Sequence, residues 1–234
     1  MNVARRPQRR TESAPRLTTP ARRTRAPRLS PAAREKLIVE GAIEYFAAQG
    51  LAADTRGLAE YLGIGQALVF RYFPSKEALI KRVFQEVIFD RWDPEKWKAI
   101  LARREVPIET RLNDLYANIA EGAIDYCWIR ILMFSGLKDQ NIEWQQFVID
   151  NLTMPVCAAL RHEYGFPNLE TRRATQLELE VVGLIGASIS SYAIKKHIYG
   201  FSVPEQLHEI FAAEIKIFLS GIRGVMAEAV ASGG

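Results

Sequence analysis

The sequence contains little cysteine and histidine, with two cysteines and three histidines among 234 residues. Cys127 and Cys157 both stand in apolar patterns of helical period, so we expect two buried free thiols. These residues lack the spacing of a disulfide framework or of a zinc site. The sequence therefore predicts neither a metal ion nor a cofactor.

Catalytic motifs are missing as well. Gly63-Ile64-Gly65 is not followed by the third glycine of a dinucleotide-binding loop, and no strand pattern precedes it. The sequence has no phosphate-binding lysine loop, no HExxH and no GxSxG motif. Glu178 and Glu180 fall on different faces of a helix, so they do not form an acid–base pair. These absences argue against an enzyme.

Strand patterns and long hydrophobic runs are also absent. The longest uncharged apolar run, Val181 to Ile194, has 14 residues, which is too short to cross a bilayer. Apolar residues instead recur with helical period from Ser30 onward, and no hairpin turn signal interrupts them. The sequence predicts an all-α protein of about nine helices.

Positive charge is concentrated at the N-terminus. Residues 1–29 hold nine arginines and one acid, Glu12, although the net charge of the chain is only +4. We expect this segment to be a disordered arm, because it has few apolar anchors. A basic arm on an acidic body is typical of contact with nucleic acid or an anionic membrane surface, and a purely solvating tail is the alternative.

Residues 30–90 predict four helices, with the middle two joined by a glycine turn. Ser30-Pro31 begins the first helix and Gly50 ends it, Asp54 or Thr55 caps the second, and Ser75 caps the fourth. Two short helices across a glycine-bearing turn are typical of a helix-turn-helix. The predicted ranges are about 31–49, 55–62, 65–73 and 76–90. Further helices are predicted at about 108–128, 129–137, 141–164 (kinked at Pro155), 169–199 and 203–231, with a connection between Pro94 and Pro107.

The second helix of a helix-turn-helix lies in the major groove with its first residues towards the base edges. Gln66 has the amide that suits an adenine edge, and Arg71 suits a guanine or a phosphate. Tyr72 and Lys76 suit phosphate contacts. We expect Ile64, Val69 and Phe73 to face the first two helices, and Gln66, Ala67, Phe70 and Arg71 to face outwards.

This region resembles the signature of the tetracycline-repressor (TetR) family. The similar segments are residues 42–50, Leu58-Ala59-Glu60, Gly63-Ile64 and residues 70–79, FRYFPSKEAL. The resemblance implies a homodimeric one-component transcription regulator, usually a repressor, that binds a palindromic operator and is released by a small molecule. It implies DNA contacts at Thr55, Arg56, Gln66, Ala67, Leu68, Phe70, Arg71, Tyr72 and Lys76.

Three positions depart from the family pattern. Family members often have serine at the position of Gly65, threonine at that of Leu68 and tyrosine at that of Phe70. A lost hydrogen bond to a charged acceptor costs about 1–3 kcal/mol. We hypothesise that phosphate or minor-groove contacts by the arginine arm offset this loss.

The resemblance implies that the remaining residues form a ligand-binding and dimerisation domain, which gives domain ranges of 1–29 (arm), 30–77 (helix-turn-helix) and 78–234. Aromatic residues in its middle helices suit a flat aromatic or lipid-like, largely uncharged effector. The predicted ligand-binding residues are Phe89, Tyr116, Ile119, Met133, Phe147 and Tyr192.

The last two helices carry a face of small residues and an apolar stripe, and the resemblance favours a four-helix bundle between two subunits. The stripe is alternatively core, and the glycines alternatively leave room for a ligand. The predicted interface residues are Gly183, Gly186, Ala187, Ser190, Phe211, Ile215, Phe218 and Ile222.

Together these patterns predict a cytoplasmic, dimeric, ligand-responsive repressor of double-stranded operator DNA, with no membrane partner. One alternative is an all-α small-molecule binding protein or enzyme that has lost specific DNA binding, as Gly65, Leu68 and Phe70 would indicate. The other is a basic-armed protein that docks on an anionic membrane.

Overall fold

The computed structural model describes residues 29–137 and 142–232, and within them every regular element is helical, which confirms the predicted all-α fold. The predicted arm lies outside the described residues, except for Leu29. Two π-helical turns, Gln85–Phe89 and Ile149–Thr153, extend α4 and join α8 to α9. The α-helices are α1 (Pro31–Gln49), α2 (Thr55–Leu62), α3 (Gln66–Tyr72), α4 (Lys76–Phe84), α5 (Pro94–Ala102), α6 (Ile108–Ala123), α7 (Tyr126–Gly136), α8 (Ile142–Val148), α9 (Met154–Tyr164), α10 (Gln176–His197) and α11 (Leu207–Ser232).

Local capping sets the helix ends of the N-terminal domain. The side chains of Ser30, Asp54 and Ser75 accept hydrogen bonds from the first turns of α1, α2 and α4, at 3.2, 2.7 and 3.1 Å. Gly63 ends α2 in the left-handed region, with φ of 63°, which glycine adopts without steric cost. These caps confirm the predicted boundaries and bring α2 and α3 together across a tight turn.

The C-terminal domain departs from the predicted boundaries in three places. The segment from Pro94 to Ala102 is α5 and not a connection, because Asp93 caps it and proline is tolerated in a first helical turn. Helix α7 begins at Tyr126, since Asp125 caps it and interrupts the predicted 108–128 helix. Helix α10 begins only at Gln176, where Thr175 forms a capping box. Near Pro155 the predicted irregularity takes the form of the π-helical turn that precedes it.

A buried ion pair connects α9 to the start of α10. Arg161 donates from Nε and Nη2 to the two carboxylate oxygens of Glu178 at 2.8 and 2.7 Å, and both side chains are shielded from solvent. Arg161 also donates to the carbonyls of Pro167, Arg172 and Arg173, so its donors are satisfied. Burial alone would raise the pKa of Glu178, but hydrogen bonds from Arg161 and from Thr175 outweigh it and lower that pKa.

Helix α10 is long and apolar enough to meet the length and composition criteria for a membrane span. Core helices of globular proteins meet the same criteria. Here Val182, Ile185, Ile189 and Ala193 are buried, and α10 packs against α6, α7, α9 and α11 of its own chain. Helix α10 is thus a central element of the C-terminal domain.

Candidate DNA-binding surface and ligand cavity

Helix α3 has one buried and one exposed face, as the sequence predicted. Val69 and Phe73 are buried, and Ile64 is half-buried. Phe70 is 41% exposed, which is high for a large aromatic side chain in a folded domain. The exposed face of α3 consists of Gln66, Ala67, Phe70 and Arg71.

Three of the predicted DNA-contacting residues, Thr55, Gln66 and Lys76, form hydrogen bonds within their own chain in this structure. Thr55 is buried, and its Oγ1 accepts a hydrogen bond from Nε2 of Gln66 at 3.0 Å. Lys76 donates from Nζ to the carbonyl of Ala52 at 3.0 Å. Burial of Thr55 does not fit the predicted direct contact with DNA, and its hydroxyl instead orients the Gln66 amide at the start of α3.

The other predicted contacts differ in exposure. Arg56 is exposed on α2 and pairs with Glu60 at 3.4 Å, one helical turn away. Such exposed pairs contribute about 0–1 kcal/mol, so Arg56 exchanges partners at little cost. Leu68 and Tyr72 are half-buried. Gly65 begins α3 without a side-chain capping bond.

A cavity of about 180 Å³ lies inside the C-terminal domain, mainly between α6, α10 and the segment that includes α8 and its π-helical turn. Three of the predicted ligand-binding residues, Tyr116, Ile119 and Phe147, line it. The full lining is Trp92, Trp97, Tyr116, Ile119, Ala123, Trp128, Trp144, Phe147, Val148, Leu152, Thr153, Val182, Gly183, Gly186, Ala187, Ile189 and Ser190.

The three remaining ligand predictions lie outside this lining. Phe89 packs against the ring of Phe147, with centroids 5.6 Å apart. Met133 is on the outer side of α7 and is 38% exposed. Tyr192 packs edge-on against Phe211 at 5.5 Å, between α10 and α11. A helical apolar pattern does not distinguish these environments from a cavity wall.

The tryptophans were counted among the aromatic residues of the middle helices in the sequence, but none of them was predicted as a ligand-binding residue. The chain has four tryptophans, and all of them line this cavity. Trp92 contacts the other three, with ring centroids 5.7 to 6.2 Å apart. Gly122 makes the close approach of Trp92 possible, because a Cβ there would lie 2.7 Å from its ring. The available sequence signal was the clustering of tryptophan in otherwise ordinary helices.

The predicted dimer-interface residues differ in burial within the chain, from exposed Ala187 to buried Ile215. Gly183, Gly186, Ala187 and Ser190 line the cavity, as the alternative interpretation of the glycines anticipated. The stripe on α11 packs in the chain's own core, with Phe211, Ile215 and Ile222 buried and Phe218 half-buried. Leu184 and Ile217 are instead 59% and 71% exposed on the outer faces of α10 and α11.

Helix α7 connects the cavity to the N-terminal domain. Its residue Trp128 lines the cavity, and Arg130 donates hydrogen bonds to the carbonyls of Ala47 and Ala48 at the end of α1. The guanidinium of Arg130 lies over the rings of Tyr126 and Phe134, 5.3 and 5.2 Å from their centroids. Arg130 therefore caps the C-terminus of α1 from the neighbouring domain.

Residues 38–83, which include the helix-turn-helix, match the model of the family described as bacterial regulatory proteins, tetR family. Over this segment the chain is similar to the tetR family. Within the matched segment, α2 and α3 are the two helices of the helix-turn-helix.

Comparisons beyond this domain agree with a tetR-family fold. The HTH-type transcriptional regulator LuxR of Vibrio harveyi is 27% identical over 132 residues, which span 54% of this chain and 61% of that relative. A TetR-like transcriptional regulator from Rhodococcus sp. RHA1 matches with a TM-score of 0.61 and 14% identity, over 83% of this chain and 100% of that one. AmtR of Mycobacterium smegmatis matches with a TM-score of 0.56 and 20% identity, over 90% and 97%. These identities establish the fold of the C-terminal domain and not its ligand.

Proposed function

We propose that this regulator is a cytoplasmic repressor that binds a palindromic operator as a homodimer and is released by a small, uncharged effector. The exposed face of α3 carries the proposal. Gln66 and Arg71, one amide and one guanidinium, stand on that face beside an exposed aromatic ring, Phe70. These groups suit base edges and phosphates.

The geometry around Gln66 supports base recognition by α3. Its Nε2 is already held by Thr55, so the amide is oriented before DNA arrives. An oriented side chain loses less conformational entropy on binding than a free one. Its Oε1 remains an acceptor that suits the N6 amino group of adenine. Arg71 lies one turn further along α3 and suits a guanine or a phosphate.

The outer faces of α10 and α11 support a homodimer. Leu184 and Ile217 are large exposed apolar side chains, and Gly221 and Gly224 on α11 are exposed small residues. A Cβ at either glycine would meet nothing within 4 Å, so a partner helix has room to approach. Two copies that pair these helices form a four-helix bundle, and a two-fold dimer reads a palindromic site.

Release of DNA would proceed through α7. A ligand in the cavity contacts Trp128, and Arg130 stands two residues further along the same helix, bonded to the end of α1. A shift of α7 therefore changes the contact that holds the N-terminal domain. The effector acts to the extent that it binds the shifted arrangement more tightly than the DNA-binding arrangement.

The test is binding of the full-length protein to DNA from upstream of its own coding region, measured by fluorescence anisotropy across a salt titration. Arg71→Ala is expected to weaken specific binding by about 1–3 kcal/mol. Arg104→Ala removes the same charge from an exposed position in the C-terminal domain and serves as the matched control. Weak, sequence-independent binding that disappears on deletion of residues 1–28 would favour a protein that has lost specific DNA binding.

The dimer is tested separately by sedimentation velocity. Ile217→Asp places a charge on the proposed interface and is expected to yield monomers. Met133→Asp makes the same kind of change at another exposed apolar side chain, outside that face, and is expected to leave the dimer intact. Equal behaviour of the two variants would contradict the proposed interface.

A further inference from the structure

One hydrogen bond connects the first residues of the two helices of the helix-turn-helix. Thr55 begins α2 and Gln66 begins α3. Oγ1 of Thr55 accepts from Nε2 of Gln66 at 3.0 Å, across 11 positions of the chain. Thr55 is only 7% exposed, whereas Gln66 is exposed. A buried hydroxyl on α2 therefore holds an exposed amide on α3.

Helix α2 is a fixed support for this hydroxyl. Tyr61 of α2 donates from its hydroxyl to Oε2 of Glu44 on α1 at 2.6 Å. Gly57 of α2 leaves room for the hydroxyl of Tyr45 on α1, because a Cβ at position 57 would overlap with it. The side chain of Thr55 is itself stiff, since its Cβ is branched. The amide of Gln66 is thus held from a well-defined position.

The hydrogen bond determines which groups of the Gln66 amide remain free. A glutamine amide has one acceptor oxygen and two N–H donors. Because one N–H is bound to Thr55, Oε1 and a single N–H are left for DNA. This pair matches adenine, which presents a donor at N6 and an acceptor at N7 in the major groove. Guanine presents two acceptors, O6 and N7, so Oε1 would face the oxygen O6 there.

A free amide would distinguish the two purines less well. A half-turn of its terminal torsion exchanges Oε1 and Nε2, and such torsions are soft. The turned amide directs Nε2 towards O6 of guanine. In this structure the same turn breaks the hydrogen bond to Thr55. Thr55 therefore disfavours the arrangement that accepts guanine, and a hydrogen bond of this kind corresponds to a factor of about two- to tenfold.

We propose that Thr55 is a positioning residue that makes Gln66 prefer adenine over guanine, and that Thr55 does not itself contact DNA. The inference rests on the proposed function, because it requires that α3 recognises a specific sequence. It identifies a buried residue outside α3 that determines part of that specificity. The low exposure of Thr55 and its bond to Gln66 support this role over the direct DNA contact that the resemblance implies.

The two roles of Thr55 have different consequences for sequence preference. A contact with phosphate carries no sequence information directly, so its loss weakens binding to all sequences alike. Loss of a positioning residue changes the preference only at the base pair that Gln66 reads. General damage to α2 would instead weaken the preferences at every position of the site. The pattern of change along the site therefore distinguishes the three cases.

The test is a selection from a library of random DNA duplexes by the full-length protein, followed by sequencing of the bound fraction. Gln66→Ala identifies the position that Gln66 reads, because the preference there is lost. Thr55→Val replaces the hydroxyl with a methyl group of similar size. We expect it to reduce the preference for adenine over guanine at that position by about two- to tenfold and to leave the other positions unchanged.

Two further variants control for changes in packing. Thr55→Ser retains the hydroxyl and is expected to retain the preference for adenine. Adding Thr55→Val to Gln66→Ala is expected to cause no further change, because the two residues act through one hydrogen bond. An unchanged preference in Thr55→Val, equal weakening of all sequences, or a further loss in the double variant would each overturn the inference.

A measurement without DNA tests the positioning directly. The side-chain amide signals of Gln66 are followed by ¹⁵N–¹H NMR in the free protein and are assigned by their loss in Gln66→Ala. Thr55→Val should shift these signals, and Thr55→Ser should leave them near the wild-type positions. The dispersion of the backbone signals verifies that each variant is folded. Unshifted Gln66 signals in a folded Thr55→Val variant would contradict the positioning.

The selection also separates failure of this inference from failure of the proposed function. If the wild type enriches a sequence but prefers guanine at the position that Gln66 reads, the inference fails and recognition by α3 stands. This result requires only the wild type and a variant at an exposed residue, Gln66→Ala. If the wild type enriches no sequence, specific recognition by α3 fails and the inference fails with it.

Discussion

Replacement of Arg130 by glutamine should uncouple the two domains. Arg130 is on α7 of the C-terminal domain, and it donates to the carbonyls of Ala47 and Ala48 in the last turn of α1. Helix α1 precedes the helix-turn-helix and packs extensively against α7. Glutamine is shorter and uncharged, so it loses both the charge and the reach of the guanidinium.

The expected energy follows from the contacts that are lost. A hydrogen bond from a charged donor contributes about 1.5–3 kcal/mol, and the Ala48 bond, at 3.5 Å, is at the weak end. Each cation–π contact, over Tyr126 and Phe134, adds about 0.5–1 kcal/mol at a partly exposed site. Because glutamine retains some hydrogen bonding, we expect a loss of about 2–4 kcal/mol of coupling between the domains.

Urea unfolding followed by two probes measures this loss. All four tryptophans line the cavity, so tryptophan fluorescence reports on the C-terminal domain, whereas circular dichroism reports on helices of both domains. In the wild type we expect the two transitions to coincide. In Arg130→Gln the dichroism transition should begin about 1–2 M urea earlier than the fluorescence transition. Protein concentration is held constant because a dimer unfolds in a concentration-dependent way.

Arg103→Gln is the matched control for this experiment. Arg103 donates to Asp114 at 2.5 Å, but both residues belong to the C-terminal domain. Its loss should therefore leave the two transitions coincident. If Arg130→Gln also gave coincident transitions at an unchanged midpoint, the capping of α1 by Arg130 would contribute nothing to domain coupling, and the proposed route through α7 would lose its support.

Three further predictions concern the C-terminal domain. Arg161→Met leaves the buried carboxylate of Glu178 unpaired and should lower the free energy of unfolding, measured with urea, by about 3–5 kcal/mol. Lys98→Met breaks an exposed ion pair and should lower it by less than about 1 kcal/mol. Similar losses in the two variants would contradict the role of burial. Because the folded-state pKa of Glu178 is lowered, its contribution to stability is complete above its ordinary pKa of 4.5 and is lost as the pH falls through the lowered value. The stability of Glu178→Gln should therefore change less with pH in that acidic range, and an unchanged slope would refute the linkage. Burial raises the pKa of the Cys127 and Cys157 thiols to about 11. A thiol reagent at neutral pH should therefore react slowly with the native protein and rapidly with the protein unfolded in urea. Rapid labelling of the native protein would contradict the burial of these thiols.

The N-terminal domain was predictable because its signals are local. Ser30, Asp54 and Ser75 cap helices within three residues of themselves, and Gly63 meets a conformational requirement of its own turn. The exposed face of α3 was predictable from the pattern of apolar and polar residues within this one short helix. The burial of Thr55 was missed, because it depends on a bond to Gln66 across the turn between two helices.

The cavity was only partly predictable because distant residues build it. Trp92 fits against Gly122, 30 positions along the chain, and no spacing in the sequence indicates that contact. The stripe of Phe211, Ile215 and Ile222 on α11 was predicted to lie in a dimer interface, with the chain's own core as the alternative, and it is buried within the single chain. Periodicity identifies a buried face but not the neighbour that covers it, so it did not distinguish the chain's own core from a partner subunit.

The central claim is that α3 recognises a specific operator. A footprint of the full-length protein on DNA from upstream of its own coding region tests this most directly, with the Arg71→Ala variant and a protein lacking residues 1–28 measured alongside at the same concentration. We predict a protected palindromic stretch that disappears in Arg71→Ala and persists, at somewhat higher protein concentration, without the arm. Absence of any protected stretch, or protection that depends on the arm and is unaffected by Arg71→Ala, would contradict the assignment of α3 as the recognition helix.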